Sequence, residues 1–161
     1  MNVFAPLRDE KGTSLVEFAL ILPILLLILF GLLDFGKAFN YWNDETHLAA
    51  EGARWAVVNS NPGGSAQSLQ QYIQQQADSS QLRGLAHVCI TFPTNPASGT
   101  SGQVGDPVHV SVTSDYNWMP FVASRASLAP STAITGSATM RLEALPSNFS
   151  TGNGGTGGSC T

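Results

Sequence analysis

Residues 15–33 read LVEFALILPILLLILFGLL. One acid (Glu17), one proline (Pro23) and one glycine (Gly31) interrupt an otherwise apolar run of nineteen residues. A helix of that length rises about 28 Å, close to the ~30 Å hydrocarbon core of a bilayer. A buried helix of a soluble domain rarely runs so long without a polar face. A secretory signal has roughly 7–15 apolar residues and ends at a small-x-small cleavage site. This run is longer, carries Glu17 near its start and ends in Leu32-Leu33-Asp34-Phe35-Gly36. The stretch therefore predicts a single membrane-spanning helix.

The rest of the composition agrees. Charged residues make up 11% of the 161 residues, against about 25% in ordinary soluble domains. Net charge is −4 and no basic run occurs. Clustered Lys and Arg, on which phosphate contacts rely, are thus missing, which excludes nucleic acid as an expected partner. Arg8 and Lys11 precede the apolar run, while Asp34 and Lys37 follow it. The cationic flank sets the N-terminus in the cytoplasm and everything after Leu33 outside, with membrane lipid around the span. The two cysteines, Cys89 and Cys160, both fall on the oxidising side of that orientation, and a disulfide between them is expected.

The chain reads as four segments. Residues 1–12 form a short mixed-charge leader. Residues 13–58 form a long helix opened by Thr13 or Ser14 as a cap. Beyond the membrane segment, Phe35, Phe39, Trp42, Ala49, Ala53 and Ala56 recur at helical spacing. Lys37, Asp44 and Glu51 recur every seven residues as a polar stripe elsewhere on the cylinder. Asn59-Ser60-Asn61-Pro62-Gly63-Gly64 ends the helix.

Residues 59–149 form an outside domain. Ser65 to Ala77 has the pattern of a short helix, with Leu69, Tyr72 and Ile73 on one side. After Arg83-Gly84 the period changes to two. Ala86, Val88, Ile90 and Phe92 make one alternating set, and Val108, Val110 and Val112 a second. Ile134, Gly136, Ala138, Met140 and Leu142 make the third. They predict about three antiparallel strands, each with one buried face, laid on the long helix in an α+β, pilin-like arrangement. Asn117 to Pro130 is a less regular link with room for a short helix. Residues 150–161 read as a mobile Gly-rich tail.

Glu17 is the most informative residue. A carboxylate at the bilayer centre costs about 2.5–3.5 kcal/mol, less near the interface, so it needs a reason. One reason is depth: at headgroup level it suits the positive end of a helix. The other is an ion pair. Were the chain cut after Gly12, Thr13 would carry a free α-amino group four residues from Glu17, in reach within the chain or from a neighbouring subunit. Pro23 removes a donor to the Ala19 carbonyl, which makes either an incidental kink or a place where the helix can melt and repack. Glu51 and Arg54, three apart, suit a surface pair, while the mid-helix Gly52 between them asks for close packing by the sheet or a partner helix.

Gly12-Thr13-Ser14-Leu15-Val16-Glu17 resembles a type IV prepilin cleavage site. With Phe18-Ala19-Leu20, Pro23 and the Leu-rich run to Gly31, it is similar to the TadE-like family of tight-adherence pilus assembly. So is Ala49-Ala50-Glu51-Gly52-Ala53-Arg54-Trp55-Ala56, although the family commonly has Arg where this chain has Ala50. Ala138-Thr139-Met140-Arg141-Leu142-Glu143 is weakly similar to the family's ending. The resemblance implies a minor pilin or pseudopilin, cut by a prepilin peptidase after Gly12 and serving type IV pilus assembly and cell adhesion. Its implied partners are other minor pilins, the major pilin and an inner-membrane assembly platform. It implies an inner-membrane protein with a periplasmic C-terminal domain, open to incorporation in an extracellular pilus. The competing expectation is an uncleaved, membrane-anchored periplasmic binding module.

Nothing in the sequence reads as an enzyme. Gly99, Gly102 and Gly105 lack the Lys-Ser/Thr of a phosphate loop, and no serine elbow or paired catalytic carboxylates are visible. His87, Cys89 and His109 share a face only if their strands pair in one register, and no metal is assigned to them. No cofactor and no small-molecule substrate are expected.

Overall fold

A computed structural model describes residues 10–118, residues 131–153 and Cys160. Residues 1–9 of the leader and the link at 119–130 lie outside the described residues. The elements are α1 (Glu10–Val57), α2 (Leu69–Gln75), α3 (Ser80–Leu85), β1 (His87–Thr91), β2 (Pro107–Asn117), β3 (Ser131–Arg141) and β4 (Gly152–Asn153). Contacts divide the chain into two units, 1–36 and 37–161.

The first unit is the apolar part of α1. Its most apolar 18-residue window has a mean hydropathy of 2.8, and none of it is buried in the structure. The helix is therefore long and apolar enough to cross a membrane. It already runs at Glu10, so Thr13 and Ser14 lie inside it rather than cap it. It is continuous through Pro23.

The second unit is an antiparallel sheet with helices on one face. The strand order is β3-β2-β1-β4: a three-strand meander, plus a two-residue strand added at the β1 edge. The register pairs Val88 with Val112 and Ile90 with Val110, then Val110 with Ala138 and Val112 with Gly136. Val108, Val110 and Val112 are fully buried, in keeping with the alternating period. They meet Leu48, Ala49, Ala53 and Ala56 of α1, Leu69 and Ile73 of α2 and Leu82 of α3 in one core. The α+β architecture of a long helix leading into a small domain with a three-strand antiparallel sheet is that expected from the sequence.

Three local expectations are corrected. The short helix is half as long as Ser65–Ala77, because Ser68 caps it: its hydroxyl accepts from the Gln71 backbone, and the Gln71 side chain accepts from the Ser68 backbone. A second short helix, α3, which the sequence reading lacked, runs through Arg83 and Gly84 ahead of the change to period two. Ser79 starts it by accepting from the Leu82 backbone at 3.0 Å. The stripe from Phe35 to Ala56 divides: Ala49, Ala53 and Ala56 are in the core, whereas Phe35, Phe39 and Trp42 are exposed.

Helix α1 ends as its sequence suggests. Asn59 adopts a positive φ of 52°, and the Ser60 N–H returns to the Trp55 carbonyl. The Val57 carbonyl accepts from Glu143 and Ala144, tying the helix end to the segment after β3. The long loop before β2 is organised by Asp106, 2% exposed. Its carboxylate accepts from Asn95, Ser98, Thr100 and the Gln103 backbone. The Asn95 hydrogen bond, against the opposing effect of burial, holds this carboxyl below its ordinary value, helped by Thr100, Gln103 and Ser98.

The tail is fastened over its described part. Cys89 and Cys160 form a disulfide with Cα atoms 5.8 Å apart, closing a separation of 71 residues. Gln70 donates to the Ser150 carbonyl at 2.6 Å, and β4 pairs with Cys89 and Ile90. These contacts fasten residues 150–153 and Cys160, while residues 154–159 and 161 of the tail read as mobile lie outside the described residues.

Candidate functional site

Gly12, Thr13 and Glu17 all lie on α1 and all are exposed. A Cβ built on Gly12 would meet nothing within 4 Å, so among the described residues nothing packs against the side of the helix on which a side chain would stand there. Thr13 and Glu17 are one turn apart and share a face of the helix. Leu15, Val16, Phe18, Leu20 and Ile21 around them are exposed as well. Glu17 is thus the one acid within residues 15–33, with an exposed glycine five residues before it. This end of the helix thus offers an exposed glycine and an exposed carboxylate five residues after it.

Residues 12–54 match the family of TadE-like proteins. The match begins at Gly12 and takes in Glu17, Pro23, Glu51, Gly52 and Arg54. It ends before α2, so the sheet lies wholly beyond the TadE-like segment. No curated protein and no solved structure matches the chain.

At the other end of the TadE-like segment, the Glu51, Gly52 and Arg54 cluster separates into different roles. A Cβ on Gly52 would stand 2.6 Å from Ile73 Cδ1 and 3.3 Å from Val110 Cγ1, so α2 and the sheet both close in on that glycine. Glu51 accepts a long hydrogen bond, 3.5 Å, from the Trp55 indole. Arg54 is exposed, and among the described residues it makes no ion pair with Glu51. Of the heptad-spaced polar residues, Asp44 is buried, Glu51 half-buried and Lys37 exposed. Lys37 donates to Gln81 at 3.0 Å, and Asp44 accepts from the Asp78 backbone at 3.0 Å. Both contacts tie α1 to α3 and its leading turn.

One group escaped the sequence reading. Glu45 is fully buried under the sheet, where its Oε1 accepts a hydrogen bond from the Ser114 hydroxyl. Its Oε2 has no partner among the described residues. Burial pushes this carboxyl up to about 7, against the Ser114 hydrogen bond and with a further contribution from Asp44 beside it. The signal was present in the sequence: Glu45 sits in the row Ala38, Tyr41, Leu48, Gly52, all of which are buried.

Sheet pairing places Thr91 opposite His109 and Cys89 opposite Ser111, so His87, Cys89 and His109 do share a face. Cys89 is committed to its disulfide, and His109 Nδ1 is 2.8 Å from the Thr139 hydroxyl. Among the described residues no three His, Cys, Asp or Glu side chains are grouped to hold a metal.

Proposed function

We propose that the protein is a minor pilin or pseudopilin of a tight-adherence pilus system, a structural subunit and not an enzyme. The observation that carries this reading is the TadE-like match, which begins at the exposed Gly12. A prepilin peptidase working at the cytoplasmic face cuts after Gly12 and leaves the α-amine of Thr13. The subunit stays in the inner membrane by residues 15–33, with the helix–sheet domain in the periplasm. On leaving the bilayer, its helix packs against those of other minor pilins and the major pilin, guided by the assembly platform. Glu17 then neutralises the Thr13 amine of a neighbouring subunit. A water-excluding bundle makes an unpaired charge expensive, so the pair selects one axial register. No cofactor enters this role.

The test is the N-terminal residue of the protein purified from its host membranes, read by mass spectrometry. A mature chain starting at Thr13 is the expected outcome. A chain still starting at Met1, or one starting beyond Leu33, removes the pilin reading; the former favours an uncleaved anchored module.

A further inference from the structure

Four of the fourteen aromatic residues fall within residues 35–42. Tyr41 turns into the core, where its hydroxyl donates to Gln81. Phe39 and Trp42 do the opposite: they are 57% and 49% exposed, and their rings meet each other at 5.7 Å, tilted by 50°. Among the described residues the Trp42 indole N–H donates to nothing. Exposing two large rings together calls for an occupant that tolerates both apolar carbon and a polar N–H.

The polar residues beyond Trp42 narrow the choice. Asn43, Thr46 and His47 are the next exposed residues, and the next exposed large apolar side chain on the chain is Val58, just past the end of α1. A partner helix lying along this face would need apolar contact every turn. A phase boundary needs it only up to a level. Trp42 comes nine helical residues after Leu33, about 13 Å of rise. Helical side chains lean toward the N-terminus and cover the preceding turn, which returns the indole by about 5 Å. The headgroup layer outside the hydrocarbon core is about 5–8 Å deep. Both rings therefore reach the layer in which tryptophan is enriched at membrane surfaces.

We propose that Phe39 and Trp42 form an interfacial anchor that binds the headgroup–acyl boundary of the outer leaflet and fixes how far α1 rises from the bilayer. The anchor rests on the membrane-spanning reading of residues 15–33 and is independent of any role in a pilus. It holds the chain at one depth in the bilayer.

The experiment uses the full chain reconstituted in phosphatidylcholine vesicles that carry bromines either just below the headgroups or deep in the acyl chains. The chain has three tryptophans, so Trp55→Phe with Trp118→Phe leaves Trp42 as the only emitter. Should those changes disturb the fold, the difference between the unmodified chain and Trp42→Phe isolates the same signal. The expected result is a blue-shifted Trp42 emission, with a larger loss from shallow bromines than from deep ones. A chain retaining only Trp55 should lose none. Alkaline carbonate extraction separates the two readings. Release of the chain from the vesicles overturns the membrane span and the anchor with it. Retention with Trp42 unquenched overturns the anchor alone, as does a cross-linked dimer through position 42, which would make a second copy the occupant.

Discussion

Two carboxylates in one helix show how much the surroundings of a residue decide. Glu17 is exposed on an apolar cylinder, whereas Glu45 is fully buried in a protein core. Replacing Glu17 by Leu removes a group that costs up to about 2.5–3.5 kcal/mol in lipid, so membrane insertion should be unimpaired. Assembly should fail, because the Thr13 amine of a neighbour is left without its counter-charge. Carbonate extraction and electron microscopy of the variant read the two effects separately, and wild-type piliation would remove the ion-pair role. Glu45 makes a pH prediction. Its folded-state value is raised to about 7 by burial, so the folded state keeps the proton that the unfolded state releases near the ordinary carboxylate value. Stability from this group is full below about pH 4.5 and declines as pH rises toward 7, by no more than about 3 kcal/mol. Asp106 has the opposite sign: its contribution is present above its ordinary value and lost as pH falls through the lowered one. Thermal unfolding in detergent between about pH 4 and pH 8 should show stability falling toward neutrality, and Glu45→Gln should flatten the fall. A level profile for the unmodified protein would refute the buried-acid account.

At the scale of elements, the contact between α1 and the sheet depends on two glycines that respond differently to the same change. A Cβ on Gly136 of β3 would collide with the backbone of Glu45 and Thr46 in α1. Backbone cannot rotate away as a side chain can, so helix and strand must separate. Gly136→Ala should therefore destabilise the fold by about 3 kcal/mol, the upper part of the overpacking range. Gly52 is close chiefly to Ile73 Cδ1, the far end of a flexible side chain. Its replacement by Ala gains about 1 kcal/mol of helix propensity and loses most of it in moving Ile73, so the net change should be within about 1 kcal/mol. Denaturant titration of both variants checks the contrast. Equal losses would mean that the helix and the sheet are not held at van der Waals distance through β3.

At the scale of the whole molecule, the TadE-like segment is 12–54 and more than half of the chain lies beyond it. That further part carries the sheet, a disulfide and the strand β4, and it shares one buried core with Leu48, Ala49 and Ala53 of the matched segment. In a fibre built of many copies every subunit would have to accommodate it, so the size suits a low-copy position that starts, caps or tethers the fibre. A clean deletion should abolish piliation, and proteomics of sheared surface material should find the protein far below the main subunit. Normal fibres in the deletion strain would reject the assembly role. Recovery of this chain as the bulk of the fibre would reject the low-copy role.

The sequence alone determined what short-range periodicity and composition control. The apolar run 15–33, the helical spacing to Val57, the period-two strands around Val110 and Ala138 and the Gly12–Glu17 spacing all repeat within one or two turns or a few residues of strand. Each property belongs to a segment whatever it packs against. The Ser79 cap of α3 was not read from the sequence. Long-range facts required the fold. Which side of α1 faces the sheet depends on register and on the Gly136 contact, and this put Glu45 inside and left Phe39 and Trp42 outside. The role of Asp106 depends on donors from a loop folded back on itself. The anchored tail depends on Cys89, Gln70 and the β1 edge, brought within reach from about 60 to 80 residues away. Such partners carry no periodic trace in the chain, because the energy that joins them is realised only once the helices and the sheet have met.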